Sequence, residues 1–237
     1  MTSYISKRTD RKDQNTQGKR RTGFKLFGKR APKPKTSGMS AEEKEDALFA
    51  NVAYDSPSER KDQGDFKYDR ALSDKRTGVY HNKKTGVTRL ALRGTDPTDV
   101  GDLALDAALT AGKQRLTGQY RKDLADFEKV KKKYGGTVVT SGHSLGANRA
   151  QNLSKEKGIR AAAFNTGRGV DKMQLVDKLR CSNPIKRLRP KFCGKLTTHL
   201  VSGDPISTSE RALGYGKVNV YAGKGGALKR HSMQNFV

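Results

Sequence analysis

Tryptophan is absent from this chain of 237 residues, aromatic residues of all kinds make up only 7%, and there are two cysteines. The longest apolar-rich run, Leu103 to Ala111, falls far short of the roughly 18 residues that a membrane-spanning helix needs. Positive charges near the N-terminus have no apolar stretch behind them, so no Sec-type export signal is read and a soluble protein is expected. Cys181 and Cys193 are too few for a disulfide framework and lack the Cys-x-x-Cys or Cys/His spacing of a zinc site. No internal repeat of roughly 20–50 residues is visible. Acidic residues are also scarce: 24 Asp and Glu face 49 Lys and Arg, a net charge of +25. Small domains usually carry a charge of magnitude roughly 2–8.

The charge is unevenly spread. Residues 1–38 hold twelve Lys and Arg, two acids and few large apolar side chains. Mutual repulsion, with only Phe24, Leu26 and Phe27 to offset the entropy of ordering, predicts a disordered basic arm that Pro32 and Pro34 close off. Residues 39–237, about 200, suffice for one domain with a normal core.

Order is expected from Ser40, which stands three residues before Glu43 in capping-box spacing. Leu48, Phe49, Val52 and Ala53 then share one helical face. Residues 55–76 read as polar loop. Thr77–His81 and Val87–Arg93 read as strands joined by a hairpin turn ending in Gly86. A long helix is predicted near 115–133, a β-branched strand at Thr137–Thr140, and a helix from Leu145 to about Lys157. Ile159–Phe164, Lys195–Val201 and Lys217–Ala222 read as further strands. Strands alternating with helices predict an α/β fold with a mainly parallel sheet flanked by helices.

The stretch with chemical content is Gly142-His143-Ser144-Leu145-Gly146. Gly-x-Ser-x-Gly alone is a weak pattern. Here a β-branched strand runs straight in and a helix runs straight out, the setting of a nucleophile elbow, where a serine sits on a strained turn at a strand end. Bulk at either glycine would clash with the neighbouring strand and helix. The helix N-terminus adds N–H groups and a positive dipole beside the hydroxyl. The plain alternative is an ordinary glycine-rich turn.

A nucleophilic serine needs a base, and the base needs an orienting carboxylate. In α/β-hydrolase arrangements the order is serine, acid, histidine. Of four histidines, His81 precedes the serine, His143 is too close to turn back onto Ser144, and His199 lies in a predicted strand upstream of the best acid. His231 remains. Asp204 stands just after a strand's C-terminal end, where active-site groups collect in α/β sheets. Its rivals Asp171 and Asp177 fall in a predicted helix or its approach. Taken singly, Asp204 reads equally as a turn residue before Pro205, and His231 as an exposed residue of a basic tail. Their order along the chain is what favours a shared site. For an oxyanion hole, Leu145 supplies one backbone N–H, and Thr95, behind Arg93-Gly94, a second.

These segments together resemble the class 3 (fungal-type) lipase family of α/β-hydrolases over about residues 41–237. Arg93-Gly94-Thr95 is similar to the family's Arg-Gly-Thr/Ser, and Asp102–Asp106 to its Asp-Trp-x-x-Asp segment, with Leu103 in place of Trp. Gly142–Gly146 matches the family's commonest elbow. Ala163–Gly169 resembles its Phe-Gly-x-Pro-Arg-x-Gly turn without the proline, and Gly203-Asp204-Pro205 and His231 match its acid and final histidine. The resemblance implies hydrolysis of lipid carboxylic esters, as a lipase, monoacylglycerol lipase or phospholipase A1. It implies no cofactor or metal. It also implies a lid over about 96–112, for which buried core is an equal alternative. Ala147 replaces a usual glycine, and the missing Trp and Pro weaken the likeness at the substrate pocket.

Outside the arm the chain is still about +15, and seven basic residues and no acid lie between Lys178 and Lys195. The plain reading is a solvated face. The functional ones are attraction to an anionic membrane surface, and nucleic-acid binding by residues 1–38 through phosphates. The arm resembles nucleic-acid-binding tails of viral structural proteins, which would imply association with a virion. A catalytically weak lipase-like scaffold that holds nucleic acid or an anionic surface is therefore the alternative to an enzyme. No protein partner is inferred. Cys181 and Cys193 would clip this basic loop if bonded; the missing export signal favours free thiols.

Overall fold

The computed structural model describes residues 38–95, 118–167, 172–207 and 216–237. The basic arm up to residue 37, the 96–112 stretch, Arg168, Gly169 and Asp171 lie outside the described residues.

Helix α1 (Ala41–Val52) opens on the expected capping box: Glu43 N–H donates to Ser40 Oγ at 3.2 Å and Ser40 N–H to Glu43 Oε2 at 2.9 Å. Residues 55–76 are not all loop. They contain a short strand β1 (Lys67–Tyr68) and a 3-10 turn (Arg70–Leu72) capped by Asp69, elements too brief for any periodicity to betray. Strands β2 (Thr77–Asn82), β3 (Val87–Leu92), β4 (Thr137–His143), β5 (Arg160–Phe164), β6 (Leu196–Val201) and β7 (Lys217–Tyr221) complete a seven-stranded sheet in the order β1 to β7. The β1–β2 and β2–β3 pairs are antiparallel and the other four parallel. Strand β4 runs three residues past the expected Thr140, because Ser141, Gly142 and His143 continue the ladder in spite of their low β-propensity.

Between the strands lie α2 (Gly118–Tyr134), α3 (Leu145–Lys157) and α4 (Lys172–Cys181). Side chains alternate between the two sheet faces, as a strand's two-residue period requires. Leu90, Leu92, Ala161 and Ala163 point to one face and pack with Phe127 and Val130 of α2 and Ala147, Ala150 and Leu153 of α3. Ala91, Ala162 and Phe164 point to the other, against α1 and the chain's end. Asp46 pins α1 to the sheet by accepting from Arg89 Nη1 at 2.5 Å and Arg160 Nη1 at 2.6 Å. No helix among the described residues is long and apolar enough to cross a membrane.

One expectation is corrected here. Cys181, which ends α4, and Cys193 form a disulfide with their Cα atoms 5.3 Å apart. The chain between them folds back through two 3-10 turns, Lys186–Leu188 and Lys191–Gly194, and Phe192 anchors the return by burying in the core beside α3. Two thiols twelve residues apart are thereby brought to bonding distance, where free thiols were expected.

Candidate active site

Ser144 sits between β4 and α3 with φ 55° and ψ −122°. That left-handed region costs a residue with a Cβ on the order of 1–3 kcal/mol and persists only where the surroundings impose it. They do. Ser144 N–H donates to Phe164 O of β5 at 3.0 Å, and its carbonyl accepts from Gly167 N–H at 3.0 Å. A Cβ on Gly146 would lie 2.1 Å from Leu92 O, and one on Gly142 would lie 2.3 Å from Gly146 O. The two glycines are what let α3 depart so close to the sheet.

The three residues picked out by their order come together. Ser144 Oγ lies 3.0 Å from His231 Nε2, and His231 Nδ1 lies 2.9 Å from Asp204 Oδ2. All three are buried. A carboxylate only accepts, so His231 Nδ1 carries the proton and Nε2 is left to accept from the serine hydroxyl. Asp204 lies beyond the end of β6. Ser207 Oγ donates to its Oδ2 at 2.7 Å, and Ile206 N–H to its Oδ1 at 3.0 Å. Burial opposes ionisation of Asp204, but the donors from His231, Ser207 and Ile206 outweigh it and hold the carboxyl below the usual range. Asp177 is elsewhere, buried against Lys155 of α3 in an ion pair.

His231 ends a short helix α5 (Ala227–His231), and the exposed-tail reading of this segment fails. The following Met233 and Phe236 bury in the core, with the Phe236 ring 5.0 Å from that of Phe164. This apolar anchor holds the histidine. Its own carbonyl is held too, by His143 Nε2 at 2.6 Å and by Asn165 Nδ2 at 3.0 Å. A carbonyl only accepts, so His143 carries its proton on Nε2, and Tyr54 Oη–H donates to Nδ1 at 2.8 Å. Burial, reinforced by the neighbouring His231, lowers the His143 pKa to about 3. His143 is thus a neutral support behind His231.

The loop after β3 reaches the elbow. A Cβ on Gly94 would lie 3.2 Å from Leu145 N, which places the strand-end turn carrying Thr95 beside the start of α3. Leu145 is the first residue of α3, so its N–H has no partner within the helix. A Cβ on Gly167 would lie 3.1 Å from Ser144 Oγ, so this backbone forms one wall around the hydroxyl. Arg149 of α3 fixes the loop from below. Its Nη1 donates to Arg93 O at 2.9 Å and Arg76 O at 2.8 Å, and its Nη2 to Asp123 Oδ1 at 2.6 Å. Sequence reading missed Tyr54, Asn165, Arg149 and Asp123. Only Arg149 left a trace, as a charge placed among the small and apolar residues of the elbow helix. Among the described residues there is no group of three His, Cys, Asp or Glu that could hold a metal ion.

A serine at a strand-to-helix elbow, with the acid beyond a later strand and the histidine near the chain's end, invites comparison with solved structures. The Lip2 lipase from Yarrowia lipolytica matches with a TM-score of 0.52 and 18% identity, over 79% of this chain and 80% of its own. The lipase from Rhizopus microsporus var. chinensis matches with a TM-score of 0.50 and 16% identity, over 83% and 81%. The fold is that of these fungal lipases. No protein-family model matches the sequence, and no curated protein does. At such identities the likeness lies in the path of the backbone.

Proposed function

We propose that the protein is a serine hydrolase of lipid carboxylic esters, of the lipase or phospholipase A1 type, with Ser144, His231 and Asp204 as its triad. The observation that carries this reading is the unbroken hydrogen-bonded line from Ser144 Oγ through His231 to Asp204, starting at an elbow whose strained backbone needs an explanation. Ser144 Oγ attacks the acyl carbonyl carbon as His231 Nε2 takes the hydroxyl proton. Asp204 holds the imidazole tautomer and stabilises the imidazolium. The negative oxygen of the tetrahedral intermediate accepts from the N–H groups of Leu145 and Thr95. As the intermediate collapses, His231 hands its proton to the leaving alkoxide and the alcohol departs. A water, deprotonated by His231, then attacks the acyl-serine, and the free acid leaves with Ser144 regenerated.

The test is a fluorophosphonate probe with peptide mapping, alongside hydrolysis of a short-chain ester by the wild type and Ser144→Ala. Labelling confined to Ser144, and a rate lost in the variant, is the expected result. Equal ester hydrolysis by the two proteins would end the proposal.

The charge favours a second, separable property. With twelve cations in residues 1–38 and +25 overall, the arm would bind nucleic acid through phosphates, with affinity falling steeply as salt rises. Duplex binding unchanged by deletion of residues 1–38 would exclude it.

A further inference from the structure

The disulfide-closed loop lies at the opposite end of the sheet from Ser144. Lys195 accepts from Ala161 N–H at the start of β5 and leads into the first residue of β6, whereas Asp204 follows that strand's last residue. At roughly 3.3 Å per residue, β6 alone separates the two ends by about 17 Å.

This loop departs from an ordinary solvated face in one respect. Leu179, on the last turn of α4, is 46% exposed, and Ile185 and Leu188 within the loop are 48% and 60%, three large aliphatic side chains within ten residues of chain. Around them stand exposed Arg180, Arg187 and Lys191, and no acid occurs between Lys178 and Lys195. The nearest acid in sequence, Asp177, is buried and paired with Lys155, so it does not soften the positive field of the loop. The Cys181–Cys193 bond and buried Phe192 hold both ends against the core, so the aliphatic groups project from an anchored support.

Cations interleaved with projecting aliphatics form the pattern of an interfacial anchor: the charges meet anionic headgroups while the apolar groups enter the acyl boundary. Nucleic acid would satisfy the cations and leave the three aliphatic groups in water. We propose that this loop, together with the last turn of α4, docks on an anionic phospholipid bilayer, with Leu179, Ile185 and Leu188 inserted. Docking there turns Ser144 away from that bilayer, so the loop acts as a tether whose role is separable from turnover. The inference does not depend on the ester-hydrolase reading.

The absence of tryptophan supplies the test. In the full chain, Leu188→Trp introduces a single indole into the loop. Leu228→Trp does so at an equally exposed position, 59%, on the helix that carries His231. The expected result is a blue-shifted L188W emission on phosphatidylserine-containing vesicles but not on pure phosphatidylcholine. The shift should weaken in high salt and be abolished by adding L179S and I185S, while L228W does not respond. Hydrogen exchange of the unmodified chain should show protection over 176–195 on the same vesicles, a readout that needs no substitution. Bound protein whose L188W emission is unmoved and whose loop is unprotected would overturn the proposal, leaving the basic arm as the attachment. A shift in L228W instead would mean that the Ser144 end docks. An equal L188W shift on duplex DNA, or at high protein concentration without vesicles, would assign the loop to nucleic acid or to self-association. Loss of ester hydrolysis in S144A leaves all these readouts unchanged, so the two proposals fail separately.

Discussion

The carbonyl oxygen of His231 accepts the Nε2 proton of His143 at 2.6 Å, so the histidine beside Ser144 in sequence holds the backbone of the histidine that faces the Ser144 hydroxyl. Tyr54 fixes the tautomer from the other side, and Asn165 shares the carbonyl. Neither histidine duplicates the other: one faces the serine hydroxyl through its ring, and one supports through a buried neutral ring.

That support has a pH signature. The folded pKa of His143, about 3, lies below the ordinary value of 6.5, so between them the unfolded chain takes up a proton that the native chain refuses. Stability is therefore complete above the ordinary value. It falls as pH drops toward the folded one, by up to about 1.4 kcal/mol per unit. His143→Gln keeps a donor for His231 O and removes the titration. Urea unfolding across this window should show a flatter slope for H143Q than for the wild type, at lower stability near neutral pH. An unchanged slope would show that other groups carry the acid sensitivity. Asp204, whose pKa is lowered, contributes stability that is present above the usual carboxylate range and lost only at still lower pH.

Asp204→Asn should leave the fold intact, since an amide is nearly isosteric with the carboxylate. It should lower kcat for a soluble ester by about 10^4-fold, because the imidazole tautomer is no longer enforced. Steady-state kinetics with a melting curve separates this from unfolding. A fall of only a few-fold would mean that Asp204 is a turn residue and not the orienting acid.

Arg149→Met leaves Asp123 buried without its cation, with only Gln119 still donating to it, and should cost about 3–5 kcal/mol. The double variant R149M/D123L should regain most of that stability. Its ester hydrolysis should stay roughly 10-fold to 100-fold low, because Arg93 O has lost its donor and the Gly94-Thr95 turn drifts. Full activity in a stable double variant would reduce Arg149 to a structural role.

Gly167→Ala tests the wall of the site. Its φ is not in the left-handed region, but the new Cβ would also lie 3.3 Å from the backbone at Leu145 N and Ser144 C, which must shift by a few tenths of an ångström, so a modest loss of stability, of about 1–3 kcal/mol, should show in urea unfolding. The new methyl would stand 3.1 Å from Ser144 Oγ, where an acyl carbonyl would approach. Fluorophosphonate labelling and ester hydrolysis should both slow by roughly 100-fold. Labelling at the wild-type rate would move the substrate approach to another side of the serine.

Removing the disulfide by C181S/C193S should lower stability by about 3 kcal/mol through the freed loop. The urea midpoint would report it, and the Ser144 end of the sheet should keep its activity. A variant as stable as the wild type would mean that Phe192 alone secures the loop.

The elbow was legible because its cause is local. A β-branched strand, two glycines and a helix are adjacent in sequence, and close packing at Gly142 and Gly146 forbids most other residues there. The meeting of the Ser144, Asp204 and His231 side chains was legible through their order and the shortage of rivals. The cysteine pair was misread, because bonding depends on where two turns return the chain and not on composition.

Strand alternation and the spacing of helices are properties of the chain itself, and they suffice for a mainly parallel α/β sheet with Ser144 at a strand end. The roles of Tyr54, His143, Asn165 and Arg149 arise only on folding. His143, Asn165 and Arg149 donate to backbone carbonyls of residues distant in sequence, and Tyr54 donates to the ring of His143. A donor's partner across such a separation is set by how sheet and helices pack, and no local pattern records it.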